Sequence, residues 1–301
     1  MYDIIVIGAG TAGMTAALYS ARSNKSVFII EREAIGGQIA ESPSVENWPS
    51  IKEISGLDLS TNLFEQITAL GCVLEVSDVK KVEKIDDKFR VTLEDEVVEA
   101  TAVIIASGTV HRHLGIPTEE KYVGKGVSYC AVCDGPLFKG QSVSVIGDGN
   151  TAFQYALTLS AYASHVTLAT RHKTFGAEET LVDRVKNNDK ITLLSEVSLK
   201  EFQGEASLDT LVFEKDGQDE LIEVKAKACF IGIGMKPDNE RYENLVELNN
   251  GYIVVDEHKQ TKTPGLYAAG DCIDKAIRQL TTAVNDGTIA AINAIDYVES
   301  K

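Results

Sequence analysis

The sequence has no apolar run longer than a strand; Ile4 to Ile7 is representative and stops at Gly8. A transmembrane span needs about 20 apolar residues, so none is expected. Basic residues are also short, 29 Lys and Arg against 45 Asp and Glu, a formal net charge of −16. A surface this acidic repels phosphate backbones and anionic lipid, so neither nucleic acid nor a membrane is expected as a partner. Met1-Tyr2-Asp3 has no basic region and enters a strand at once, so no signal peptide is expected. Cysteine is scarce, with five in 301 residues and no regular framework, which fits a reducing cytoplasm. Cys72, Cys229 and Cys272 stand alone, with no second pair to complete a zinc site, so no metal is expected. They read as small apolar residues.

What is present is a chain long enough for two ordinary domains, and 44% hydrophobic with 25% charged residues is the balance of a folded protein. Between those domains lies Cys130-Ala131-Val132-Cys133-Asp134. Two cysteines at this spacing can close a small ring. That ring is too short to restrain much of the unfolded chain, so a structural disulfide is a poor reading. The same spacing often lowers one thiol pKa and favours thiol–disulfide exchange.

On either side of the dithiol one pattern occurs twice. Tyr2–Ile7 is a β-branched run, Gly8-Ala9-Gly10-Thr11-Ala12-Gly13 follows, then an alanine-rich helix from Met14 to Ser23 and a strand Val27–Ile30 ending in Glu31. This is the full strand–glycine turn–helix–strand–acid unit of a dinucleotide fold. Its glycines admit a pyrophosphate at the helix N-terminus, and its carboxylate can accept from a ribose. Sliding the chain by 139 places Gly8 on Gly147, Gly10 on Gly149, Val27 on Val166 and Glu31 on Thr170. Two such folds in one chain suit an enzyme that passes electrons between two carriers. The acid is missing at Thr170, so the second site looks poor for NADH. Thr170-Arg171-His172-Lys173-Thr174-Phe175-Gly176 holds one guanidinium, too few for the 2′-phosphate of NADPH.

Elsewhere Gly36-Gly37-Gln38 and Val45-Glu46-Asn47-Trp48-Pro49 read as turns around a buried aromatic, and Leu59–Gly71 as an amphipathic helix. Val73–Val98 suggests a small antiparallel meander, followed by a separate strand Ala102–Ile105 that leads to Gly108. Met235-Lys236-Pro237 marks the return to the first domain. Ala268-Ala269-Gly270-Asp271 is a strand meeting a helical turn, with Asp271 either a cap or an acceptor for a cofactor hydroxyl. The expected fold class is α/β, with two Rossmann-like domains, the second inserted into the first, and small antiparallel sheets.

Over essentially its whole length the chain resembles the low-molecular-weight, bacterial-type thioredoxin reductases. The residues that carry the likeness are Gly8–Gly13, Gly36-Gly37-Gln38, Glu46-Asn47-Trp48-Pro49, Cys130–Gly135, Gly147–Ala152, Ala268–Asp271 and Arg278-Gln279. The resemblance implies a homodimer with FAD bound by residues 1–113 and 244–301, and a middle domain, 114–243, that carries the dithiol and in most members binds NADPH. It places FAD against Gly8, Gly10, Thr11, Ala12, Gly13, Glu31, Gly37, Gln38, Asn47, Gly108, Gly270, Asp271, Arg278 and Gln279. It implies that Cys133 faces the flavin, that Cys130 exchanges with the thioredoxin disulfide, and that Asp134 is the general acid–base, a task for a carboxyl of raised pKa. The middle domain would rotate between the two tasks.

One departure matters. NADPH-dependent members carry His-Arg-Arg-x-x-x-Arg, where this chain has Thr170, Arg171, His172 and Gly176. Each charge-assisted contact contributes roughly 1.5–3 kcal/mol, so two losses weaken binding about a hundredfold or more. Gly147, Gly149, Ala152, Arg171 and His172 thus read as a degraded NADP-like site. Ferredoxin-linked flavin thioredoxin reductases have lost the same pattern, and reduced ferredoxin is the preferred donor over NADPH at a divergent site. Ferredoxins are typically acidic, so docking would need a local basic surface, for which Arg184, Lys186 and Lys190 are candidates, although solvated helix charges are the preferred reading of these three. A flavin-dependent dithiol oxidase and a non-enzymatic redox sensor are the competing functions.

Overall fold

The computed structural model describes residues 1–42, 45–215, 217 and 221–301. It divides into two compact units, Met1–Val110 with Lys236–Lys301, and His111–Met235. These boundaries fall before the expected 113/114 and 243/244. The reason is local: the chain crosses at β7 (Val110–His111) and returns at β16 (Met235–Lys236), and these two strands pair as a ribbon.

The first unit opens with β1 (Tyr2–Ile7), α1 (Thr11–Arg22), β2 (Val27–Glu31), α2 (Gly56–Ala69), β3 (Val73–Val76), β4 (Lys81–Ile85), β5 (Lys88–Thr92) and β6 (Val97–Ile105). After β16 it closes with β17 (Leu248–Asn249), β18 (Tyr252–Ile253), β19 (Leu266–Ala268) and α7 (Leu280–Glu299). Its main sheet runs β3-β2-β1-β6-β5-β4, with β19 also on β6. β3, β2, β1, β6 and β19 are parallel, and β4–β6 antiparallel.

Two expectations are corrected here. Val73–Val76 joins the parallel sheet beside β2 instead of the meander. The third meander strand and the apolar strand at 102–105 are one element, β6. Its first residues alternate in burial and pair with β5, and its last four are wholly buried between β1 and β19. Alternation suits one solvated face; a continuous apolar run suits a strand covered on both.

Both faces of β1 are covered. Ile5 and Ile7 pack with Phe89, Val91 and Val103, and Ile4 and Val6 with Met14, Ala16, Ala290 and Ala294. Helices α1 and α7 approach closely at Gly287, where a Cβ would drive into the Ala12 carbonyl; a Cβ on Gly13 would drive into the Gly8 carbonyl, which seats α1 on its own glycine turn. α2 begins at Ser55, whose hydroxyl accepts from Asp58 N at 3.0 Å. α7 begins with a Gln279–Thr282 capping box. Trp48, expected to be buried, is only partly covered.

The second unit holds α3 (Glu119–Tyr122), β8 (Val127–Ser128), α4 (Ala131–Asp134), β9 (Ser142–Ile146), α5 (Asn150–Ser160), β10 (His165–Thr170), α6 (Glu179–Lys186), β11 (Ile191–Ser195), β12 (Val197–Gln203), β13 (Thr210–Lys215), β14 (Leu221–Lys225) and β15 (Ala228–Ile231). A parallel sheet runs β11-β10-β9-β15-β8, with an antiparallel sheet β12-β13-β14. Among the described residues no helix is long and apolar enough to cross a membrane.

Candidate active site

In the first unit, the expected FAD residues gather where the parallel strands end. Gly8–Gly10 follow β1, Glu31 ends β2, Gly108 follows β6, and Gly270-Asp271 follows β19. This carboxyl edge is where α/β sheets bind ligands. Gly8 has φ +107° and packs its Cα against the Ala106 backbone, a place only glycine fills. Gly36 N donates to Ala9 O at 2.9 Å, which folds the second loop onto the first turn. The Glu31 carboxylate accepts from Ala9 N (2.7 Å) through Oε2 and from Glu33 N (3.0 Å) through Oε1. Gln38 Nε2 donates to Thr109 O and Oγ1 at 2.8 and 2.7 Å, and Asn47 Nδ2 to Gln279 Oε1 at 3.3 Å. Arg278 donates to the carbonyls of Asp271 and Ile273, with its guanidinium 4.0 Å from the Tyr252 ring centre.

Asp271 separates its two readings. It caps no helix by its side chain. Its Oδ1 is buried without a hydrogen-bond donor; Lys275 Nζ pairs with it electrostatically at 3.3 Å but is not aligned to donate. A buried acceptor left in this state wants a hydroxyl. No Cβ at Gly108 would meet any atom within 4 Å, and one at Gly10 would meet only Gly36 O at 3.9 Å, so both leave open space. A tight glycine turn, an acid at the β2 end and an orphaned acceptor after β19 fit a dinucleotide with polyol hydroxyls, as FAD has.

In the second unit, Cys130 and Cys133 form a disulfide with Cα atoms 5.4 Å apart. Cys130 caps α4, its Sγ accepting from Cys133 N at 3.1 Å. Ala131 is fully buried, and Gly135 lies where a Cβ would press on Leu159 and Tyr162, which seats this turn on α5. Cys133 is exposed, while Cys130 and Asp134 are half-buried. Tyr129, next to Cys130, donates its hydroxyl to Glu119 Oε1 at 2.7 Å and lies 2.8 Å from His113 Nδ1. Burial first, then the Glu119 carboxylate, push its phenol well above the ordinary range. Glu119 is itself buried and accepts from the amides of Leu114 and Gly115. Sequence reasoning passed over this Glu119–Tyr129–His113 cluster because its members belong to no spaced motif.

The repeat seen in the sequence extends to single hydrogen bonds. Gly8 N donates to Ile30 O and Gly147 N to Ala169 O, at 2.7 and 3.1 Å. Gly176 N donates to Asp148 O at 2.9 Å, as Gly36 N does to Ala9 O. Thr170, placed opposite Glu31, is fully buried, and its hydroxyl is engaged by His172 O and Ser195 Oγ. The carboxylate missing at 170 comes instead from Asp148 in the glycine turn, whose Oδ1 accepts from Arg171 N (2.9 Å) and His172 N (3.4 Å). Position 170 itself carries no acid, as expected, and the carboxylate reaches the same gap from the turn. The signal was available, since the 139-residue shift sets Asp148 on Ala9, the residue Glu31 holds.

Arg184, Lys186 and Lys190 do not form a clean basic surface. Arg184 and Lys190 line a hollow of about 900 Å³ together with Asp183 and Asp189, and Lys190 donates to Ser160 O at 3.0 Å. Another hollow, of about 540 Å³, lies at the start of β1 between Tyr2, Phe28 and Glu99, away from every site residue expected from the sequence.

The family model for pyridine nucleotide-disulphide oxidoreductases matches residues 2–287. The chain is 40% identical over 303 aligned residues to the thioredoxin reductase of Bacillus subtilis, covering 99% of this chain and 95% of that one. It is 36% identical to the crystal structure of Lactococcus lactis thioredoxin reductase, with a TM-score of 0.95 and 100% of both chains covered. A ferredoxin-flavin thioredoxin reductase from Clostridium acetobutylicum matches at 27% identity and a TM-score of 0.56, with 100% of this chain and 99% of that one covered. Taken with the flavin-type cradle of the first unit and the disulfide of the second, these likenesses establish that the chain belongs to the pyridine nucleotide-disulphide oxidoreductase family, among the low-molecular-weight thioredoxin reductases, and is an FAD-dependent disulfide oxidoreductase.

Proposed function

We propose that this chain is a thioredoxin-disulfide reductase in which electrons pass through FAD to the Cys130–Cys133 disulfide and then to thioredoxin, with reduced ferredoxin rather than NADPH as donor. The observation that carries the reading is the Cys130–Cys133 disulfide, with Cys133 an exposed residue and Cys130 a half-buried one, in a chain whose first unit offers a flavin cradle. When bound, FAD supplies a carrier that can take electrons singly and hand them on in pairs. Two electrons break the Cys130–Cys133 bond, and two protons complete both thiols. The Cys130 thiolate attacks the thioredoxin disulfide and forms a mixed disulfide; Asp134 protonates the departing thioredoxin sulfur. Cys133 then displaces the second thioredoxin sulfur from Cys130, which restores the starting disulfide and releases reduced thioredoxin. The donor reading rests on His172 and Gly176 standing where NADPH-dependent members have arginine. A homodimer, and FAD contacts from Gly8, Glu31, Gln38, Asn47, Gly108, Asp271 and Gln279, are part of the same proposal.

Anaerobic stopped-flow mixing with NADPH, NADH or reduced ferredoxin tests the donor through flavin bleaching. Bleaching by ferredoxin followed by thioredoxin reduction is expected; fast bleaching by NADPH would remove ferredoxin. Turnover that needs oxygen and a small dithiol would point to an oxidase. Full thioredoxin turnover in Cys130→Ser would overturn the assigned cysteine roles.

A further inference from the structure

The two units hold a carboxylate in the same gap but supply it from opposite sides. In the first, Glu31 at the end of β2 reaches back to Ala9 N in the turn. In the second, Asp148 in the turn reaches forward to the amides of Arg171 and His172, just beyond the end of β10. The matching bonds Gly36 N to Ala9 O and Gly176 N to Asp148 O fix positions 9 and 148 as equivalent. Asp148 uses only Oδ1 for this; Oδ2 has no hydrogen-bond partner among the described residues. The surroundings do not cancel its charge. Lys173 is paired with Glu196 at 3.0 Å, Glu178 lies beside the start of α5 in a bond from Asn150, and no guanidinium stands at 172 or 176. Arg171 alone is left to meet an anion.

We propose that Asp148 sets the nucleotide selectivity of the second unit: its carboxylate stands where a ribose-directed acid belongs, so a dinucleotide accepted there must carry a free 2′-hydroxyl. A 2′-hydroxyl can donate to a carboxylate, whereas a 2′-phosphate brings about two negative charges against it. This deepens the reading that NADPH is not the donor, and rests on it only in treating the second unit as a nucleotide-type fold.

The test is calorimetric binding of NAD⁺ and NADP⁺ to the FAD-loaded protein, compared with Asp148→Asn and with Asp148→Asn combined with Gly176→Arg. Asparagine keeps an oxygen for both amides and removes only the charge, so a merely structural Asp148 would leave the selectivity unmoved. Gly176 can carry a side chain, because its φ lies outside the left-handed region and a Cβ would meet only Asp148 O, at 3.8 Å. Wild type is expected to bind NAD⁺ at least tenfold more tightly than NADP⁺. Asp148→Asn should narrow that ratio about tenfold, and the double variant should invert it. Preference for NADP⁺ in the wild type, an unchanged ratio in Asp148→Asn, or no nucleotide binding by any of the three would overturn the proposal. Bleaching of the flavin by NADH but not ferredoxin would remove the ferredoxin reading and leave Asp148 its role. Bleaching by ferredoxin with no nucleotide binding anywhere would do the reverse.

Discussion

Asp286 on α7 is the charge whose removal should be felt most. It is buried, with Oδ1 2.8 Å from Lys259 Nζ and Oδ2 2.8 Å from Lys275 Nζ, and the two lysine side chains are 18% and 13% exposed. At an effective dielectric of about 20, attraction at that distance is about 6 kcal/mol per pair before desolvation. Most of it is offset by the cost of taking three charges out of water. Removing one partner of a buried pair nevertheless costs about 3–5 kcal/mol, because the remaining charges stay desolvated. Here the lysine stems reach toward the surface, so Asp286→Asn is expected to cost about 2–3 kcal/mol. Urea unfolding followed by circular dichroism measures it. Asp286→Asn with Lys259→Met removes the cation left without a carboxylate, since Lys275 keeps Asp271 at 3.3 Å, and should recover about half the loss. A single variant within about 0.5 kcal/mol of wild type, or a double variant no better than the single, would refute the reasoning.

Three further outcomes follow from packing and burial. Gly13→Ala and Gly287→Ala each push a methyl into a backbone carbonyl and should cost about 1–3 kcal/mol by chemical unfolding, whereas Gly176→Ala, with open space before it, should stay within about 0.5 kcal/mol. Burial pushes the Cys272 thiol up to about 11 and that of Cys72 to about 11, so near pH 8 a thiol reagent should find almost no fast-reacting group in the oxidised protein and gain two on mild reduction. Because the folded form holds the Cys272 proton more tightly than the unfolded chain, its stabilisation is complete below about pH 9 and is lost as pH rises toward about 11; a melting temperature unchanged across that window in wild type, with Cys272→Ala behaving alike, would refute the link.

The parts of the fold that the sequence made legible are those in which backbone geometry demands a residue type. Gly8, Gly13 and Gly147 sit where a Cβ would meet backbone, and both glycine turns were visible for that reason. The parallel strands showed as continuous apolar runs. β6 was not read correctly because it changes partners midway, and neither half reveals the continuity of the whole. The cofactor edge was legible as motifs, but the choice between cap and acceptor for Asp271 required the burial of Oδ1. Asp148 was overlooked because the expected acid was sought at a fixed place, the end of the second strand, while its function depends only on where the carboxylate arrives. The Glu119–Tyr129 pair is assembled by tertiary packing across a ten-residue separation with no periodic signature.

The first unit is also discontinuous: β19 and α7 belong to residues 236–301, yet β19 flanks the buried end of β6 and α7 covers the small-residue face of α1. During translation the ribosome therefore delivers β1, α1 and β6 well before the helix that shelters them. The stretch 111–235, contiguous in the message, has every strand of its own parallel sheet while Ala12 still waits for Gly287. The flavin-type half is thus completed only after the middle unit has been synthesised, and a nascent chain stalled before residue 280 would present alanine-lined apolar surface to chaperones.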